Sequence, residues 1–170
     1  MERTGIITMQ GNPLTLVGGP VKPGDKAPDF TLLDTALNSK SLKDFEGKIK
    51  VVSATPSLDT PVCDLQIHWF NQDAANQPDD VAVLNVSADL PFAIKRFCAA
   101  DGIDNVEVLS DHREVSFGVG YGILIKELRL LARSIFIIDK QNVVRYVQIV
   151  SEQTREPDYD AALKALKSLM

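Results

Sequence analysis

The chain has 170 residues, 45% of them hydrophobic and 24% charged, with 18 basic against 23 acidic side chains and a formal net charge of −5. This profile suits one globular domain spanning 1–170 that can bury a core, and it excludes a disordered or fibrous chain. With no local basic patch to offset the acidic balance, nucleic acid is not an expected partner. Only two cysteines are present, Cys63 and Cys98, with two histidines, His68 and His112. That count excludes a disulfide-dense secreted scaffold and a four-cysteine zinc site, and it leaves either inert core cysteines or redox chemistry.

No apolar run reaches the roughly 18 residues that span a bilayer, so no membrane contact is expected. The opening MERTGIITMQGNP lacks the basic-then-apolar design of a signal peptide. The expected location is therefore cytoplasmic.

In chain order, GIITM and LTLV flank a Gln10-Gly11-Asn12-Pro13 turn and predict a hairpin within residues 1–18. A short strand is predicted at Phe30 to Leu33 and a polar connection with a helical turn from Ser39 to Gly47. This front section reads as decoration on the domain. The core pattern starts at the β-branched run 49–54 and stops at Thr55-Pro56. A helix from Pro61 to about Ala75, a strand over 81–86, a helix over 91–100 and a short strand over 106–109 follow. That alternation implies parallel strands joined by right-handed crossovers. A weak, glycine-interrupted helix near 113–119 precedes strands at 134–138 and 143–150, joined by a turn short enough for an antiparallel hairpin. A final helix begins after Pro157, with Asp158 or Asp160 near its start. Parallel βαβ followed by antiparallel ββα is the thioredoxin-like order: an α/β fold with a central mixed β-sheet flanked by helices, here extended by an N-terminal β-hairpin.

The segment Pro56-Ser57-Leu58-Asp59-Thr60-Pro61-Val62-Cys63 joins the first core strand to its helix, where α/β proteins place catalytic groups. Pro61 suits the first helical position, which makes Thr60 the N-cap and puts Cys63 in the first turn. Unpaired N–H groups and the positive end of the helix dipole stabilise a thiolate there. The Thr60 hydroxyl is expected to cap the helix and to lie beside the sulfur. Because Thr60 stands where a C-x-x-C motif has its first cysteine, a local disulfide is impossible. Cys98 follows Ile94 by one helical turn, which places it on an apolar face and favours burial.

Pro56-x-x-x-Thr60-x-x-Cys63 matches the pattern P-x-x-x-T-x-x-C, and the longer string TPSLDTPVCD is joined by Ser87 to Cys98, Ala132 to Asp139 and Glu156 to Asp160 as ordered blocks. Together these resemble the thiol peroxidase subfamily of the peroxiredoxins, nearly end to end. The resemblance implies an atypical two-cysteine peroxiredoxin that reduces hydrogen peroxide and organic hydroperoxides in antioxidant defence, with some preference for alkyl hydroperoxides. It implies Cys63 as the peroxidatic cysteine, Cys98 as the resolving cysteine that closes an intramolecular disulfide, and Pro56, Thr60 and Arg133 as active-site residues. It further implies recycling by thioredoxin, a homodimer, and catalysis with no metal, haem or flavin.

His68-Trp69 falls where basic residues are expected in this subfamily, so partner contacts or substrate shape on that helix are expected to differ. A Cys63–His68 pair fails geometrically, since five helical residues turn through about 500°, roughly 140° from a common face. His112 is expected in solvent, and Phe92, Phe97, Phe117, Tyr121 and Phe136 in the core or in a substrate-pocket wall. A thiol-switch sensor or holdase and a binding module with unreactive cysteines are the competing functional classes.

Overall fold

The computed structural model describes residues 1–170. Its strands are β1 (Glu2–Met9), β2 (Asn12–Val17), β3 (Leu32–Leu33), β4 (Ser39–Lys40), β5 (Ile49–Ala54), β6 (Val81–Ser87), β7 (Glu107–Ser110), β8 (Leu124–Ile125), β9 (Leu130–Leu131), β10 (Ser134–Ile138) and β11 (Val144–Ile149). The helices are α1 (Pro61–Ala74), α2 (Pro91–Asp101), α3 (Ser116–Gly120) and α4 (Tyr159–Lys167), with one 3-10 turn at Leu42–Phe45.

Seven strands form the central sheet in the order β11-β10-β5-β6-β7-β3-β4. β5, β6 and β7 run parallel, in register from Ile49 against Val81 and from Leu84 against Glu107. β10 pairs antiparallel with both β5 and β11. This mixed, thioredoxin-like order follows from the βαβ and ββα patterning of the sequence.

β5 is the central strand, and all six of its residues are buried because both faces of the sheet are covered. Its alternation separates two cores. Ile49 and Val51 face Ile67 and Phe70 of α1, Ile94 of α2, and Ala162 and Leu166 of α4. Val52 and Ala54 face Phe30, Phe45, Phe117, Tyr121 and Phe136. Lys50 shares that second face and is fully buried, its Nζ donating to Asn142 Oδ1 at 2.6 Å.

The front of the chain is not decoration. β1 and β2 close on a two-residue turn, Gln10–Gly11, whose φ angles of 51° and 79° are the left-handed pair that a tight hairpin requires. β2 then joins β8 and β9 in a separate four-stranded sheet, and Ile7 and Leu16 are buried in the second core. β3 and β4 extend the central sheet itself. The apolar runs are individually too short for periodicity to distinguish core from ornament.

Of the aromatic residues, Phe117, Tyr121 and Phe136 pack against one another in the core, with ring centroids 4.3–6.0 Å apart. Phe92 departs from expectation: at the start of α2 it is 68% exposed. His112 is exposed.

Candidate active site

β5 delivers the chain to Thr55 and Pro56 at the carboxyl end of the parallel strands, and α1 carries it away. The connecting loop is fixed by Asp89, whose carboxylate accepts from Ser57 Oγ at 2.8 Å, Leu58 N at 2.9 Å and Ser87 Oγ at 2.8 Å. Pro61 occupies the first turn and Thr60 the N-cap. The Thr60 hydroxyl, however, does not cap the helix. It donates to Ser57 O at 3.1 Å, closing the loop's own turn. The hydroxyl makes no hydrogen bond to the sulfur either.

Cys63 is fully buried in the first turn of α1. Arg133, immediately before β10 and 2% exposed, reaches it: Nη2 donates to Cys63 Sγ at 3.3 Å. Nη1 donates to Gln66 Oε1 at 2.8 Å and Nε to the Gln153 carbonyl at 3.0 Å. Gln66 lies one turn beyond Cys63 and is itself held by donating to Ser53 Oγ at 2.6 Å. None of the molecule's ion pairs involves Arg133. A buried cation with neutral partners is costly, and this one is placed to stabilise negative charge that develops beside the Cys63 sulfur during a reaction.

A cavity of about 250 Å³ opens in front of this group, lined by Met9, Gln10, Pro56, Thr60, Pro61, Val62, Arg133, Gln153 and Thr154. Three of the five residues singled out in the sequence, Pro56, Thr60 and Arg133, therefore face one space with Cys63 directly behind it. None of the five aromatic residues considered for a pocket wall lines it. Its apolar wall is instead Met9, Pro56, Pro61 and Val62. A larger depression of about 620 Å³, lined by Lys26, Asp29, Lys43 and Glu46 among others, lies elsewhere and contains no cysteine.

Cys98 is not part of this arrangement. Both thiols are free, and Cys98 borders a different depression with Asp34, Thr35 and Ile103, sharing no residue with the cavity before Cys63. It is half-buried rather than fully buried, at the rim of the core that encloses Ile94. Burial pushes its thiol above the usual cysteine range, and the Asp101 carboxylate adds to the effect.

His68 and Trp69 have structural partners. His68 Nε2 lies 3.3 Å from Asp64 Oδ1 on its own helix and 3.2 Å from Asp101 Oδ2 on α2, bridging the two cysteine-bearing helices. Trp69 stacks on Tyr159 of α4, centroids 4.4 Å apart at 14°. His68 makes no hydrogen bond to Cys63.

Gln66 and Gln153 are the site residues that sequence reading misses. A glutamine carries no local signal, and both act through contacts to Arg133, which lies 67 and 20 positions away.

The redoxin family model matches residues 22–163. The thiol peroxidase of Bacillus subtilis (strain 168) is 54% identical over 164 residues, covering 96% of this chain and 98% of its own length. That of Staphylococcus aureus (strain COL) is 53% identical over 163 residues, with coverage of 96% and 98%. Among solved structures, a peroxiredoxin-like protein from Aquifex aeolicus superposes with a TM-score of 0.91 at 43% identity, covering 99% of this chain and 98% of that one.

Proposed function

The chain belongs to the redoxin family as a peroxiredoxin-type thiol peroxidase, an oxidoreductase acting on hydroperoxides with a redox partner, and on that footing we propose that Cys63 is its peroxidatic and Cys98 its resolving residue. The observation that carries this reading is the contact of Arg133 Nη2 with Cys63 Sγ in a buried, otherwise neutral setting.

In the proposed cycle the Cys63 thiolate attacks the terminal oxygen of R–O–O–H. The O–O bond breaks, the sulfur becomes a sulfenic acid, and the alkoxide leaves as ROH after taking a proton. Arg133 stabilises charge developing on the peroxide oxygens, and its permanent charge suits that role. Pro56 and Thr60 shape the cavity in which the peroxide stands. The Cys98 thiolate then attacks the Cys63 sulfur, displacing hydroxide that leaves as water and forming an intramolecular disulfide. Thioredoxin, a dithiol, returns both cysteines to thiols and leaves as its own disulfide. Every electron passes through sulfur, so the cycle calls for no metal, haem or flavin.

The cavity's four apolar wall residues support acceptance of small alkyl hydroperoxides as well as hydrogen peroxide. Because Cys63 is fully buried and Cys98 borders a depression that shares no residue with the cavity at Arg133, disulfide closure requires the first turn of α1 and the end of α2 to open locally, bringing the Cα atoms to about 4.4–6.8 Å. Leu90 and Phe92, 54% and 68% exposed beside α2, support a homodimer that covers them. A reducing compartment suits a resting dithiol, and the reaction is assigned to the cytoplasm on that ground.

The test is NADPH consumption with thioredoxin, thioredoxin reductase and cumene hydroperoxide. Wild type turns over, Cys63→Ser is inactive, and Cys98→Ser completes one turnover and stalls. Steady activity in Cys63→Ser refutes the assignment, and a disulfide that forms without sustained turnover identifies a sensor instead.

A further inference from the structure

Arg133 is aimed by a segment that lies outside the recognisable motifs, the loop of residues 150–154 after β11. Gln153 is 1% exposed and holds Arg133 twice: its side-chain Oε1 accepts from Arg133 N at 2.5 Å, and its carbonyl accepts from Arg133 Nε at 3.0 Å. Its Nε2 donates to Val150 O at 2.6 Å, which fixes the side chain's orientation. Val150 N in turn donates to Arg133 O at 2.9 Å.

The same loop is fastened to the N-terminal hairpin. Gln153 N donates to Thr8 O at 2.8 Å, and Thr8 N donates to Ser151 O at 2.7 Å. The Glu152 carboxylate accepts from Gln10 N at 2.9 Å, Gly11 N at 3.0 Å and Thr8 Oγ1 at 2.8 Å, gathering the hairpin turn around itself. The bond from Gly11, with those from Thr154 and Thr8, holds the Glu152 carboxyl well below the usual carboxylate range. Met9 and Gln10 of that turn also line the cavity before Cys63. A continuous run of hydrogen bonds therefore connects the hairpin turn to Glu152, Gln153 and the guanidinium.

We propose that Gln153 is a positioning residue for peroxide reduction, and that Glu152 ties it to the β1–β2 turn so that the hairpin helps hold Arg133 against Cys63. The inference rests on the reading of Cys63 as the peroxidatic residue. Its physical basis is directional. A guanidinium carries five N–H donors in a rigid fork, and three of Arg133's are already committed, to Gln153, Gln66 and Cys63. Those remaining can meet the peroxide oxygens only if the fork keeps its orientation. Displacements on the order of 1 Å in such a group cost about 100-fold in rate.

The experiment measures the two halves of the cycle separately in Gln153→Met, which keeps the side-chain length and removes both polar groups. The expected result is a roughly 10- to 100-fold fall in the second-order rate of Cys63 oxidation by hydroperoxide. The rate at which thioredoxin reduces the disulfide stays at the wild-type value. Glu152→Ala gives a smaller fall in the same step and carries the test should Gln153→Met fail to fold. Wild-type oxidation rates in a folded variant, with Cys63→Ser inactive, overturn this inference alone. Activity in Cys63→Ser overturns the reading beneath it.

Discussion

The two cysteines occupy opposite ends of their helices, and the contrast fits the two tasks proposed for them. Cys63 lies in the first turn of α1, toward the positive end of the helix dipole and against a buried guanidinium. Cys98 lies in the last turn of α2, toward the negative end, and the only charged group credited with acting on its thiol is the Asp101 carboxylate. The first setting places a buried cation on the sulfur, whereas the second raises the thiol's pKa. The wiring differs as well. Cys63's surroundings are held by Asp89, Gln66 and Gln153, whereas α2 ends on Gly102 at φ 66°, whose N–H caps the Cys98 carbonyl. That terminus is further held by exposed side-chain contacts from α1, His68 to Asp101 and Asn71 to the Gly102 carbonyl.

The contrast can be broken most severely from the Cys63 side. Arg133→Met should lower the second-order rate with hydroperoxide by about 100- to 1000-fold, measured by stopped flow. A fall of less than about threefold would show that the helix terminus alone activates the sulfur. Gln66→Glu sharpens the same point. A carboxylate 2.8 Å from Nη1 would compete with the sulfur for the guanidinium's charge, and a loss of roughly 10-fold is expected even though the hydrogen bond survives.

On the Cys98 side the expected effects are smaller and opposite in sign. A thiol whose pKa is raised carries less thiolate at a given pH, so disulfide closure should accelerate as pH rises through and beyond the range of a free cysteine, about 8.5. Asp101→Asn removes the repulsion, lowers the Cys98 pKa and should speed closure at pH 7 by a few-fold, read from a rapid-quench time course of disulfide formation. Slower closure would contradict the electrostatic account. The least effect is expected from His68→Ala. Its pairs with Asp64 and Asp101 are solvent-exposed and contribute less than about 1 kcal/mol, so the visible change should be faster hydrogen exchange at the C-terminal end of α2 with little change in melting temperature.

How far these two settings could be read from sequence follows from the range of the interactions. Cys63's position was legible because Pro61 and Thr60 define a helix start locally, and β5 and β10 because β-branched runs of five or six residues suffice to mark buried strands. The Thr60 hydroxyl was misplaced since the competing acceptor, Ser57 O, depends on the loop's turn geometry. Cys98 was expected to be buried from Ile94's spacing alone, yet it lies at the end of the helix, where the apolar face runs out to the rim. Gln66, Gln153 and the hairpin's contribution to the cavity were illegible, because each arises where segments far apart in the chain meet. The strand expected over Phe30 to Leu33 is present at Leu32–Leu33, but its place in the central sheet rests on pairing with Ser110 of β7, which local pattern does not reveal.

The most direct test of the difference between the two thiols is to locate the first oxidation. Reduced protein treated with one equivalent of cumene hydroperoxide in the presence of a sulfenic-acid trap is digested, and the adduct is assigned by mass spectrometry. The account predicts the adduct on the peptide containing Cys63, with Cys98 found only as a thiol or in disulfide linkage to Cys63. An adduct on Cys98, with Cys63 unmodified, would contradict it.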